Sequence, residues 1–441
     1  MKKLSAVFTA LILTASCFSC SDEKKPESSS EITGEPIETE IEEQLFITYS
    51  YNDFKTVNVP WNSTTDEPPV ELKCYEFPDY DFGERILPFI DSDDPFQYYL
   101  TFSNKDYYEN CDEDMQKRIY DNFMEDIKTA QKGTADRIQR DGNKIYLTVN
   151  YDNICLMYDW GLYCIDMDTD EVSEVYSYSG LDNHSLFWFT SAVVIDNVMY
   201  VPMEEYDENN SIINSQIIAI DLETKEESVI MESKKSISIT KTPDCKLMIS
   251  ESYDENNNKY CIYNTKTKEI SEFAPKTKYL NFYGGCGLTA YFEKPEGSRK
   301  ADLVTENYRL ETGISSFHIL YADNSKAVVL TPDTNILHTF DFAKMEHYTT
   351  ELKSKADMGA AFGDGLVLFK NNSSNTTVYY FIAELGLAFT LAEKIHLNSL
   401  FTENNNVSFA GMTDVIQKEY GIDIIVDSKY NSLYWLEEKE K

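Results

Sequence analysis

From about residue 136 onward, short apolar runs alternate with polar turns. Ile145-Tyr146-Leu147-Thr148-Val149, Val193-Val194-Ile195, Val328-Val329-Leu330, Val378-Tyr379-Tyr380-Phe381-Ile382 and Ile424-Ile425-Val426 combine β-branched and aromatic residues, the composition of strands. The turns repeat as well. Tyr151-Asp152-Asn153, Tyr206-Asp207-Glu208-Asn209-Asn210 and Tyr253-Asp254-Glu255-Asn256-Asn257 each precede a turn of the type Ile165-Asp166-Met167-Asp168-Thr169, by 14, 14 and 10 residues. The later turn copies are Ile220-Asp221-Leu222-Glu223-Thr224, Tyr263-Asn264-Thr265-Lys266-Thr267 and the weaker Phe340-Asp341-Phe342-Ala343-Lys344. Asp141-Gly142, Asp196-Asn197, Asp244-Cys245, Asp323-Asn324 and Asp364-Gly365 fall between the first two strands of their units, and Gly284-Gly285 marks the unit between Asp244 and Asp323. Such dipeptides accept the left-handed backbone of tight hairpins.

The unit is therefore a four-stranded meander of roughly 45 residues, the size of a propeller blade. Counting predicts an all-β propeller of about seven blades, near 136–179, 188–234, 237–276, 280–313, 315–354, 356–396 and 405–438. The last unit ends after its third strand. Its outermost strand is expected from upstream, from residues 46–51 or 70–75. Met115, Ile119, Phe123 and Ile127 recur at helical spacing, which predicts one amphipathic helix over about 112–130.

Lys2 and Lys3 precede an apolar stretch, Leu4 to Leu13, too short to cross a bilayer and suited to a signal peptide. Leu13-Thr14-Ala15-Ser16-Cys17 resembles the lipobox of bacterial lipoproteins. The resemblance implies lipidation of Cys17, with Cys20 as the alternative, although Phe18 at its −2 position fits less well. The expected organisation is a signal peptide at 1–16, an acidic disordered tether at 17–45, an N-terminal segment at 46–135 and the propeller at 136–441. Losing Lys2 and Lys3 leaves 37 basic against 76 acidic side chains, a charge of −39. Nucleic acid is excluded as a partner, because phosphate binding needs a basic face.

Taken together, the Asp turns, the Tyr-Asp-Asn loops and the Ile-Asp-x-x-Thr turns over about 134–441 resemble the degenerate propeller lipoproteins of bacterial cell envelopes. The resemblance implies a monomeric binding or assembly module on the outer face of the cytoplasmic membrane, with an unknown protein or glycan ligand. A sensor or assembly subunit acting beside a membrane protein is a third expectation.

Candidate chemistry is sparse. Asp166, Asp168 and Asp170 mimic the start of a calcium loop, but Glu171 and Ser177 stand where Gly and Glu are needed. His184, His318, His338, His347 and His396 have no zinc spacing. No P-loop, GxGxxG or GxSxG motif is present, so no metal, cofactor or catalytic residue is assigned. A carbohydrate-active enzyme is the alternative function. The sialidase Asp-box is absent, and 76 acids leave any pair of catalytic carboxylates unchosen. Trp160, read as a turn residue, and Trp61 beside Pro60 are the candidate ligand-binding aromatics. Seven cysteines lie beyond Cys20 without a CxxC motif. Cys155 and Cys164 would face each other across a two-residue turn at Asp159-Trp160, and a bulge at Gly161 would remove that candidate disulfide. Free buried thiols are the other reading.

Overall fold

A computed structural model describes residues 47–439 except 86–95, 97–99, 101–104, 131, 152–158, 180–184, 188–191, 207–210, 243, 255–256, 274–279, 285, 296, 354–355, 357, 373–374, 404–405 and 420–421. Cys17, Cys20, Cys155 and the expected signal peptide and tether lie outside the described residues.

The strands form seven sheets arranged as the blades of a ring. Blades 1 to 6 run in sequence order over 134–179, 193–233, 237–273, 280–314, 318–351 and 358–395, and in blade 5 Cys286–Gly287 adds in parallel ahead of His318–Ala322. Blade 7 takes its inner strand from Leu397–Glu403, which the counted repeat had left unassigned, and continues with Asn406–Glu419 and Ile422–Glu438.

The Asp-containing turns explain the regularity. In four copies the residue four positions after the first Asp or Asn is left-handed: Asp170 (φ 58°), Lys225 (63°), Lys268 (64°) and Met345 (52°). Asp166, Asp221 and Asn264 each accept, through side-chain oxygen, the N–H two residues on at 2.9, 2.9 and 3.0 Å. The aspartates at 166, 168 and 170 are thus used in turn geometry, with Asp170 also accepting from Tyr75 Oη at 2.7 Å.

Blades pack through apolar faces. Trp160, Leu162 and Tyr146 meet Val194, Met199 and Val201 between blades 1 and 2. Ile217 and Tyr200 meet Leu247, Ile249 and Tyr263 between blades 2 and 3. Leu303 and Leu310 meet Val329 and Phe340 between blades 4 and 5, and one continuous core joins blades 5, 6 and 7.

The N-terminal segment is woven into these sheets. Strands β1 (Ile47–Ser50), β2 (Lys55–Asn58) and β3 (Asn62–Thr64) each add in parallel to the outer edge of blades 4, 5 and 6. β4 (Val70–Glu76) then pairs antiparallel with Ser432–Glu438 and supplies the outermost strand of blade 7. Of the two upstream segments expected to complete that blade, 70–76 does so, while 47–50 belongs to blade 4. Helices α1 (Lys105–Glu109) and α2 (Glu113–Ala130) lie further along the chain. Asp112 Oδ1 accepts from the Met115 N–H at 2.8 Å at the start of α2, whose Phe123 is buried against Phe96.

Candidate functional site: the cleft at the ring seam

After β4 leaves blade 7, the chain crosses to blade 1 as a strap, residues 77–85. It is held close to the sheet. Gly133 N–H donates to Gly83 carbonyl at 3.2 Å, and Glu84 bridges Lys132. A Cβ on Gly133 would stand 2.7 Å from Phe82 Cβ and 2.8 Å from Tyr151 Cε1, so only glycine lets strap and blade approach this far. Gly83 takes a left-handed turn (φ 79°) whose N–H is received by Asp81 Oδ1 at 2.9 Å.

Beneath the strap lies a cavity of about 440 Å³. Phe77, Pro78, Tyr80 and Phe82 form its strap wall, and Lys429 and Tyr430 of blade 7 line it as well. Leu147, Ile165 and Val172 of blade 1 also line it. Tyr80 is 43% exposed and leans edge-on against Phe82 at 5.4 Å, which in turn packs on Tyr163 at 4.9 Å. Exposed Asp79, Asp81, Glu84, Lys132 and Lys429 contribute both signs of charge. The result is an aromatic interior with a polar, mixed-charge lining.

The strap ends in a charged anchor. Arg85 forks between Asp159 Oδ1 (2.8 Å) and Glu174 Oε2 (2.6 Å), donates to the Trp160 carbonyl (3.2 Å) and lies 4.2 Å over the Tyr151 ring. Tyr163 Oη donates to Glu174 at 2.6 Å and sits 2.6 Å from Tyr151 Oη, and Tyr151 Oη donates to the Phe82 carbonyl at 2.8 Å. Burial raises the Asp159 carboxyl, and the hydrogen bond and charge of Arg85 act against that rise. Burial disfavours the Arg85 cation, but its bonds to Asp159 and Glu174 outweigh this and hold it above its ordinary value. Burial and the bond to Glu174 keep the Tyr163 phenol neutral, well above its usual range. Both carboxylates face one guanidinium, an arrangement suited to fastening the strap.

The candidate aromatics sit elsewhere. Trp160 is corrected from an exposed turn residue to a core residue: it lies in strand Asp159–Asp166, is 0% exposed, and fills the blade 1–2 interface. Asp-Trp-Gly reads locally as a turn, but its tryptophan gains far more by burial than a turn offers. Trp61 is half-buried, stacked on Phe381 at 4.8 Å and 10° and edge-on to Tyr379 at 5.5 Å on blade 6. Cys164 is a buried free thiol, and Cys155, its candidate partner, lies outside the described residues. Tyr80, Phe82, Tyr430 and Arg85 were not singled out from sequence. Their only local signal is the aromatic and acidic run Phe77-Pro78-Asp79-Tyr80-Asp81-Phe82.

Among the described residues, no group of three His, Cys, Asp or Glu side chains is placed to hold a metal ion, and no helix is long and apolar enough to cross a membrane. No known family model matches the chain. No curated protein matches it either. Solved structures similar to it include the β-propeller domain of the trilobed protease from Pyrococcus furiosus, at 12% identity and a TM-score of 0.45, covering 68% of this chain and 97% of that one. The acylaminoacyl peptidase of Pyrococcus horikoshii is 10% identical at a TM-score of 0.45, over 69% of this chain; the chain spans about half, 53%, of that enzyme. An oligogalacturonate lyase in complex with manganese is 10% identical at a TM-score of 0.32, covering 68% and 87%.

Proposed function

We propose that this chain is a lipid-anchored extracytoplasmic propeller that binds a short glycan in the seam cleft without transforming it. The observation that carries the reading is the exposed Tyr80 ring at a 440 Å³ cavity with an aromatic interior and a polar, mixed-charge lining. Its volume falls within the ~300–1,000 Å³ of small-ligand sites. Aromatic faces suit the apolar C–H faces of sugar rings, and the surrounding carboxylates and amines suit hydroxyl groups. Anchoring rests on the lipobox-like Ala15-Ser16-Cys17, with cleavage before Cys17 and an acidic tether to hold the ring away from the lipid.

Two measurements test this. On a panel of soluble glycans, Tyr80→Ala and Tyr430→Ala should each weaken binding about 3- to 10-fold, the worth of one aromatic contact, while Trp61→Ala binds as the wild type does. Wild-type protein that ignores every glycan but captures peptides would replace the ligand class; turnover of a polysaccharide would favour the carbohydrate-active alternative. For the anchor, labelled palmitate should enter the exported wild-type protein and not Cys17→Ser. Label retained by Cys17→Ser and lost in Cys20→Ser would move the lipid to Cys20.

A further inference from the structure

Two of blade 5's histidines sit on neighbouring strands, and β2 pairs alongside the strand of one of them. His338 Nδ1 and His347 Nε2 are 3.0 Å apart, a hydrogen bond between near-parallel rings (7°) whose centroids are 5.2 Å apart. His347 is 1% exposed. Its ring face stacks on Phe340 at 4.3 Å, and Tyr51, just ahead of β2, meets it edge-on at 5.2 Å. Thr56, the residue of β2 in register with His347, places Oγ1 3.5 Å from His347 Nδ1.

We propose that these hydrogen-bonded imidazoles are a proton-operated clasp for the N-terminal belt: when the pair takes up protons from solvent, β2 leaves the outer edge of blade 5 while the blade stays folded.

The neutral pair uses one N–H donor and one lone pair. An added proton places a cation between Phe340 and Tyr51, and a second places two cations in contact. The charged groups around the pair do not offset this. On blade 5, Glu346 pairs with Lys55 of β2 at 3.6 Å, and Asp341 pairs with Lys344 at 3.3 Å. In the turn before β2, Asp53 accepts from Ser50 N–H at 2.8 Å. On the adjoining outer strand of blade 4, Arg309 and Glu311 alternate with Tyr308 and Leu310, which pack in the core shared with blade 5. None of these acids hydrogen-bonds either ring.

Burial lowers both histidines to about 4, and for His347 the neighbouring His338 adds to the effect. The folded values lie below the ordinary 6.5, so the closed belt binds fewer protons than the open one. Closure is at full strength above pH 6.5 and is lost as pH falls through 6.5 toward 4. β2 is four residues long, so its local stability is small. Its departure frees the edge of Glu346–Glu351, an unpaired strand able to accept another extended chain.

The test is amide hydrogen exchange on the whole chain at pH 7.0 and 4.5, corrected for intrinsic rates. Protection over residues 55–58 should fall on the order of 50-fold per titrating ring in the wild type, with residues 326–331 of blade 5 unchanged. The double variant His338→Gln/His347→Phe should lose less than about threefold. Wild-type protection that persists at pH 4.5, or an equal loss in the variant, overturns the clasp. If the variant leaves blade 5 unprotected at pH 7.0, the NMR titration of the wild-type His338 and His347 ring protons decides instead. Midpoints near 4 to 5 that coincide with the loss over 55–58 support the clasp, and midpoints above 6 overturn it.

Discussion

A chain that begins at residue 78 should fail to close its ring, whereas one that begins at residue 65 should close it. The difference is β4. Its seven residues from Val70 to Glu76 form the outermost ladder of blade 7, in register from Glu438 back to Ser432. Val70 is 2% exposed and belongs to the core shared by blades 5, 6 and 7. Burying such a side chain is worth about 2 kcal/mol, and each ladder hydrogen bond adds about 1 kcal/mol net. Their sum is a large share of the 5–15 kcal/mol that holds a typical domain folded. The shorter deletion also removes Phe54 and Tyr49 from the blade 4–5 core, so its melting temperature should drop. Blades 4 to 6 nevertheless keep four strands each. Hydrogen exchange over Leu397–Glu403 separates the two cases: protection survives in the chain that begins at residue 65 and collapses in the one that begins at residue 78. Equal protection in both chains would show that β4 does not close the ring.

The blades were legible because one physical problem recurs in each. A meander must reverse direction tightly, and the Asp, Asn and Gly residues that permit this stand in register with alternating apolar runs. Asp196-Asn197, with φ of 50° and 63°, is such a turn, and Gly142 at 61° is another. Helix α2 was legible for a similar reason, since its apolar stripe and acidic first turn are local. The belt was not. β1, β2 and β3 are three or four residues long, too short to show a period, and they gain their pairing only from edges hundreds of residues away. The cleft was illegible on the same ground. Tyr80 and Phe82 line one cavity with Tyr430 only because β4 lies on blade 7 and the strap then crosses to blade 1. Trp160 shows the converse: Asp159-Trp160-Gly161 has turn composition, yet Trp160 pairs with Asn150 inside a sheet and fills an interface between blades. Composition sees the polar neighbours, and packing decides where the large ring goes.

Arg85→Ala should cost about 3–5 kcal/mol at pH 7, the range for removing one partner of a buried pair. The lower end is expected, because Glu174 is 34% exposed and water takes over part of its pairing. Asp159 carries most of the effect. Only 8% of its side chain is exposed, and without Arg85 its carboxylate would be buried with no cation beside it. Burial already raises this carboxyl, so deleting the opposing cation raises it further in the folded variant, above its unfolded value. A carboxyl raised on folding favours the folded state while protonated and disfavours it as pH climbs through the raised value. The deficit of Arg85→Ala should therefore be largest at pH 7 and shrink toward pH 4.5, the opposite of the trend expected at the histidine clasp. Asp159→Asn placed in the Arg85→Ala background should recover most of the loss at pH 7, because a neutral amide tolerates the site. Arg85→Lys should recover less than the native residue provides, since a point charge cannot fork between Asp159 and Glu174 while also reaching the Trp160 carbonyl. Denaturant titrations of the variants at pH 7 and 4.5 measure all of this. A loss below about 1 kcal/mol for Arg85→Ala, the size of an exposed ion pair, would mean that the strap is held to blade 1 by Gly133, Tyr151 and Phe82 alone.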